Sequence, residues 1–264
     1  MTTSDAGFYF SRMDGERFMP SKHVGGAWDE ADLHVSPVVG LVVHHVEGWR
    51  REQNLGAKVL GRLSLDILGR LERGEIELQS RLLRPGRTIE LIETTVTIAG
   101  RLTLLARTWF MSENDSAGVA GAEWSPMPGP GSAQPFEITD IWSGGYIQSV
   151  EARKIGEPRA GRAQAWIRSK VELIESEQAS ELARFAALVD TANGVAVRES
   201  PDRWMYPNLD LTIHLFRQPR GEWIGFDTTV SFGENGQGLT ASVLHDEHGA
   251  VGTAQQILTV RGIA

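Results

Sequence analysis

Apolar and polar positions alternate along two stretches that read alike, RLSLDILGRLERGEIEL from Arg62 and NLDLTIHLFRQPRGEWIGF from Asn208. Leu63, Leu65 and Ile67 match Leu209, Leu211 and Ile213, and each run leads through an Arg-containing break to Arg-Gly-Glu and a second apolar run. A period of two marks half-buried strands, and its recurrence marks a duplicated unit. Ahead of the first copy, SPVVGLVVHHVEGWRR (Ser36 to Arg51) predicts a helix with Ser36 as N-cap and Pro37 at its first position. Its apolar residues cover nearly the whole circumference, so the helix is expected to be enclosed; a buried strand over Val38 to Val43 is the alternative. Ahead of the second copy, SEQASELARFAALVD carries Leu182, Phe185, Ala186 and Val189 on one helical stripe.

Strand-like runs follow each helix. They cover Leu63–Leu68, Ile76–Leu83, Thr88–Ile98 and Leu102–Phe110 in the first half, and Leu209–Phe216, Trp223–Ser231, Leu239–His245 and Val251–Val260 in the second. Gly100 and Gly249 sit where hairpins must turn. Between the halves, residues 112–136 are rich in Gly, Pro and Ser and have no apolar period, which reads as a connection. The expected organisation is an α+β chain of two units, residues 1–111 and 137–264, each one helix followed by an antiparallel sheet. Pairing the two sheets edge to edge would remove an exposed edge and make a fused pseudo-dimer.

Composition narrows the functions. The 264 residues are 41% hydrophobic and 23% charged, as in an ordinary globular protein. A net charge of -8 argues against nucleic acid or an anionic bilayer as the main partner, because either needs a broad basic face. There is no cysteine, which removes disulfides, thiolate metal sites and a cysteine nucleophile. The first residues, MTTSDAGFYF, have neither a basic nor an apolar leader segment, and no 18-residue apolar run occurs, so a cytoplasmic protein without a membrane span is expected.

GGAWDEADLHVSPVVGLVV near the start, RPGR at Arg84–Arg87, NLDLTIHLFRQPRGEW and the tail GAVGTAQQILTVR together resemble the type II acyl-CoA thioesterases and thioesterase-like proteins of double-hotdog fold. The resemblance spans nearly all of the chain except the connection. It implies hydrolysis of a fatty acyl-CoA thioester without a covalent intermediate or a cofactor, in a homo-oligomeric protein. It further implies that a carboxylate on the second helix, a hydroxyl at the start of the next strand and a glutamine on the last strand hold the attacking water. These roles fall on Asp190, on Asn208, where the hydroxyl is replaced, and on Gln256.

The residues themselves make sense of that set. Asp190 closes an apolar helical stripe, where a half-buried carboxylate could take a proton from water; a solvated helix end is the bland alternative. Strand register leaves open whether Gln255 or Gln256 points inward. Aligning the halves puts Arg62 opposite Asn208, His44 opposite Asp190 and Arg107 opposite Gln256, so only the second half carries the set. His44 with Glu47, three residues apart on one helix, is the sole acid–base pair the first half offers.

An oxyanion site is expected from backbone N–H groups at the start of the first helix, although HVSP stands where relatives often carry glycines. Arg84, Arg87, Arg217 and Arg220 lie at loop-like breaks and are the candidates for the CoA phosphates. LHDEHG (Leu244–Gly249) has metal-like letters, but reads as an exposed hairpin. GENGQG fits no nucleotide fingerprint, and no G-x-S-x-G elbow is present. A weakly active acyl-CoA or acyl-chain binding protein and a hotdog enoyl-CoA hydratase are the alternative functions.

Overall fold

The computed structural model describes residues 7–263. The first half runs β1 (Phe8–Asp14), β2 (Arg17–Pro20), α1 (Val35–Glu52), β3 (Val59–Ile67), β4 (Ile76–Arg84), β5 (Ile89–Ile98) and β6 (Arg101–Met111). Then come β7 (Gln134–Pro135), α2 (Gly145–Gln148), β8 (Val150–Arg159), β9 (Arg162–Ser169), β10 (Glu172–Ile174), α3 (Glu181–Val189), α4 (Ala192–Val195) and β11 (Trp204–Met205). The chain closes with β12 (Asp210–Leu215), β13 (Ile224–Phe232), β14 (Gln237–Asp246), β15 (Gly249–Thr259) and β16 (Arg261–Gly262).

Fourteen of the described strands form one sheet in the order β10-β1-β2-β4-β5-β6-β3-β12-β15-β14-β13-β9-β8-β7. The two halves meet at β3 and β12, which pair antiparallel with Leu63 opposite Ile213, Ser64 opposite Thr212 and Leu65 opposite Leu211. These are residues of the two similar stretches, so the repeated period-2 segments are the seam. Each half orders its long strands the same way outward from that seam.

Sequence periodicity missed the strands before each helix. β1 and β2 precede α1, and β8 and β9 precede α3. β1 buries the adjacent Tyr9 and Phe10, and its last three residues are exposed, so it shows no alternation. The second half adds two short helices, α2 and α4, to the one expected there. The N-cap of α1 is His34, not Ser36: its Nδ1 accepts from the Ser36 N–H at 3.1 Å. Residues 112–136 are tied down as well. Gln134 and Pro135 form β7, Trp124 stacks on Phe216, and the Pro128 carbonyl accepts from Trp166 Nε1.

The hairpin at LHDEHG is not simply exposed. His245 and Asp246 are buried in β14, and Asp246 holds Arg217 through both oxygens at 2.6 Å, leaving only the tip at the surface. No helix among the described residues is long and apolar enough to cross a membrane.

Neither helix is wrapped alone. α1 is buried along most of its length and packs against α3, where Gly40 meets Ala187. A Cβ on Gly40 would overlap the Ala187 methyl and lie 2.8 Å from the Ala183 carbonyl oxygen. A second close approach fixes the loop before α1. Gly144 has φ +103 and rests on the Gly26 carbonyl, and Tyr146 N–H donates to the Gly25 carbonyl at 3.0 Å. The loop carrying Trp28 to His34 is thereby clamped to α2.

Gly40→Ala must separate α1 from α3 to fit its methyl. It is expected to cost about 1–3 kcal/mol, the usual penalty for overpacking. Thermal unfolding should show a melting temperature several degrees lower; an unchanged midpoint would mean the helix contact is not tight.

Candidate active site

The antiparallel α1 and α3 bring the start of one helix to the end of the other. His34 caps the N-terminus of α1, and Asp190 caps the C-terminus of α3. Between them opens a cleft of about 160 Å³ lined by Trp28, Leu33, His34, Val35, Trp142, Asp190, Thr191, Asn193 and Asn208, with Arg70, Asp29 and Asp32 at one side. Arg70 pairs with both Asp29 and Asp32, at 2.7 and 2.9 Å. The aromatic wall is rigid: Trp28 meets Trp142 and Tyr206 edge-on at 4.8 and 5.1 Å, and Trp142 Nε1 donates to the Gly194 carbonyl.

Asp190 is brought together with both predicted partners. Its Oδ1 accepts from Asn208 Nδ2 at 2.8 Å and from Gln256 Nε2 at 2.7 Å. Asn208 lies just before β12, joined to Leu258 by an isolated bridge, while β15 carries Gln256 on its inner face. Gln256 is buried and Gln255 exposed, which settles the register. Burial pushes the Asp190 carboxyl up from 3.8 to about 7; the two amide donors pull the other way, and Asp210 adds to the rise.

The amides are not placed as equal holders of a water. Asn208 spends its NH₂ on Asp190 and on the Asp210 carbonyl, so only its Oδ1 remains for a further partner. Gln256 sits behind the carboxylate and is not part of the cleft lining; its Oε1 has no hydrogen bond among the described residues. Asp190 Oδ2 is therefore the oxygen left for chemistry, 3.9 Å from His34 Nδ1. That contact is not an ion pair. The His34 ring is buried, which pushes its value down to about 3, and its Nδ1 already accepts the Ser36 N–H.

Other expectations are corrected by the geometry. His44 does not pair with Glu47: its Nε2 meets Glu177 at 3.2 Å, and Glu47 accepts from Ser180, the N-cap of α3, at 2.8 Å. Arg107 is not the counterpart of Gln256. It faces solvent and pairs with Glu93, whereas buried Ala106 and Thr108 share the inner face that Gln256 occupies in the other half.

None of Arg84, Arg87, Arg217 and Arg220 lines the cleft. Arg84 donates to the Ile89 carbonyl in its own hairpin, Arg217 is held by Asp246, and Arg87 and Arg220 are exposed elsewhere. The guanidinium beside the cleft is Arg70. Sequence reasoning passed over it because nothing in its local pattern separates it from any other loop arginine. His34 was passed over as part of HVSP, although a ring nitrogen one residue before a helix is a candidate cap.

Two family models match the chain, the acyl-CoA thioesterase N-terminal domain over residues 25–111 and the acyl-CoA thioesterase C-terminal domain over residues 113–260. No curated relative matches by sequence. Among solved structures, a hot dog fold protein from Alicyclobacillus acidocaldarius is 12% identical, with a TM-score of 0.74 over 96% of both chains. The acyl-CoA thioesterase II TesB2 from Mycobacterium marinum is 14% identical, with a TM-score of 0.65 over 97% of this chain and 95% of that one. The tesB protein of Mycobacterium avium subs paratuberculosis is likewise 14% identical, with a TM-score of 0.66 over 96% and 95%. At these identities the likeness speaks for the fold, and the family models speak for descent. With both domain models matched in order across the seam of a helix-filled double hotdog, the chain belongs to the acyl-CoA thioesterase family.

Proposed function

We propose that this chain hydrolyses a fatty acyl-CoA thioester by direct attack of water, with Asp190 as general base. The observation that carries the reading is the buried carboxylate at the cleft, held on one oxygen by two amides and, among the described residues, without a hydrogen bond on the other. A base works best when its value lies near the operating pH, and burial puts Asp190 there. Oδ2 takes a proton from water as the water oxygen bonds to the thioester carbon. The C–S bond then breaks, the electron pair leaves with sulfur, and the proton returns to give the free thiol.

Asn208 and Gln256 act here as positioning residues, which lower the cost of the carboxylate and fix Oδ2 toward the cleft. Asn208 replaces the family hydroxyl without vacating its place, because its Oδ1 can still accept from the water. The hydratase reading draws on the approach of His34 to Asp190 in one cleft. It is the weaker one, since His34 Nδ1 is occupied and His44 lies with Glu177 instead.

Release of free CoA from a panel of acyl-CoA esters, run beside enoyl-CoA hydration, tests the choice. Thioester cleavage without hydration is expected; tight acyl-CoA binding with neither reaction would favour the binding-protein alternative. With an active substrate in hand, turnover should rise with pH to a plateau, with a midpoint near 7. Removing a donor raises the carboxyl further, so Asn208→Ala and Gln256→Ala should each move that midpoint upward. His44→Ala should leave turnover within a few-fold.

Asp190→Asn should lower turnover by about two to four orders of magnitude, the range for losing a positioned base. Stability should move the other way. Because the folded-state value lies above the ordinary 3.8, the native state keeps this proton longer than the unfolded chain does. The stability of wild type is therefore eroded as pH rises from about 4 to about 7, and the penalty is complete above that. Asp190→Asn escapes it, so its melting temperature relative to wild type should increase between pH 5 and pH 8. A gap that shrinks over this range would mean the carboxylate is stabilised by its surroundings.

A further inference from the structure

The negative charge that develops on the thioester oxygen needs a donor, and the start of α1 is poorly supplied with them. Val35, Ser36 and Pro37 are its first three residues. The Ser36 N–H is taken by His34 Nδ1, and Pro37 has no N–H. The helix keeps the positive end of its dipole there, but only Val35 could offer a backbone donor among these three positions. This differs from the row of backbone N–H groups that a bare helix start presents.

His34 itself fills the gap. Its Nδ1 is an acceptor for Ser36 N–H, so the proton of the neutral ring is on Nε2. Burial keeps the ring from taking a second proton, and the Tyr146 ring, with centroids 4.1 Å apart, holds its plane. Among the described residues Nε2 has no hydrogen-bond partner, and it is not sealed off from the cleft that the ring lines. His34 and Asp190 both line the cleft, with Nδ1 3.9 Å from Asp190 Oδ2, so the ring and the carboxylate border the same space.

We propose that His34 is a catalytic residue of the hydrolytic reaction, its Nε2–H donating to the thioester carbonyl oxygen and to the oxyanion that replaces it. The role rests on the thioesterase reading of the cleft and adds the electrophilic half to it. A neutral imidazole whose other nitrogen is fixed near a helix N-terminus is a competent donor, because its proton is not given away at the pH of the reaction. The two helix ends then divide the work. The end of α3 holds the base, and the start of α1 holds the donor and the positive end of a dipole.

The test uses the full chain with His34→Asn and His34→Ser. Both keep an N-cap acceptor for Ser36 and lose the Nε2 donor, so the fold should survive with a melting temperature within a few degrees of wild type. On an acyl-CoA that wild type hydrolyses, kcat should fall about 10²–10³-fold in both, with KM within a few-fold, the scale for removing one oxyanion donor. A second readout does not depend on turnover. In the acyl-CoA complex of Asp190→Asn, the thioester C=O stretch should lie below its value in solution, and adding His34→Asn should return it toward that value.

Turnover within threefold of wild type in the folded variants, or a carbonyl stretch indifferent to His34, would overturn the role while leaving the hydrolytic reading in place. If either variant fails to fold, the stretch in the other decides. A wild type that cleaves no acyl-CoA removes the hydrolytic reading, and this role with it.

Discussion

A single buried carboxylate is the constraint around which the site is arranged. Asp190 lies at the end of a helix, where the carbonyl dipoles oppose a negative charge, and it is closed off from bulk water. Ionising it there costs a few kcal/mol, which is why two amides from different segments converge on one of its oxygens. The fold supplies them at fixed distances, because Asn208 and Gln256 are joined to adjacent strands at the inner face of the sheet. Stability is sacrificed at this point, and in the proposed mechanism a base of suitable strength is the return.

The two halves share an architecture and have diverged in chemistry. At the cleft, the cap of α1 faces the end of α3. At the corresponding place on the other side, Ser180, the cap of α3, binds Glu47 of α1, and His44 binds Glu177. Among the described residues the first pair leaves a carboxylate oxygen and a ring nitrogen without hydrogen-bond partners; the second is a closed set of hydrogen bonds. Duplication gave two equivalent positions, and in this chain only one has the free donor and acceptor capacity that a reaction needs.

Much of this organisation was legible in the sequence, because strand alternation survives wherever one face of a strand is buried, and Arg-Gly-Glu recurs in the loops that follow β3 and β12. The edge-to-edge joining of the halves, both long helices and the Asp190–Asn208–Gln256 grouping followed from that pattern together with the family resemblance, whereas the choice of β3 and β12 as the seam came from the pairing itself. β1, β2 and β8 were not legible, since short or partly exposed strands lose their period, and β9 was not because its buried positions include the weakly strand-forming Ala163 and Ala165. Gln255 against Gln256, and Arg107 against Ala106 or Thr108, turned on a one-residue register that only pairing decides. His34 and Arg70 were hidden for another reason: their importance comes from what the opposite half places beside them, and no local pattern records that.

The claim that burial tunes Asp190 to act as a base is tested most directly by following its own carboxyl carbon. In protein labelled with ¹³C at aspartate, the resonance assigned by its loss in Asp190→Asn should titrate with a midpoint near pH 7. A midpoint near the ordinary value of 3.8 would show that the two amides outweigh burial, and that Asp190 is a fixed charge at the cleft and no poised base.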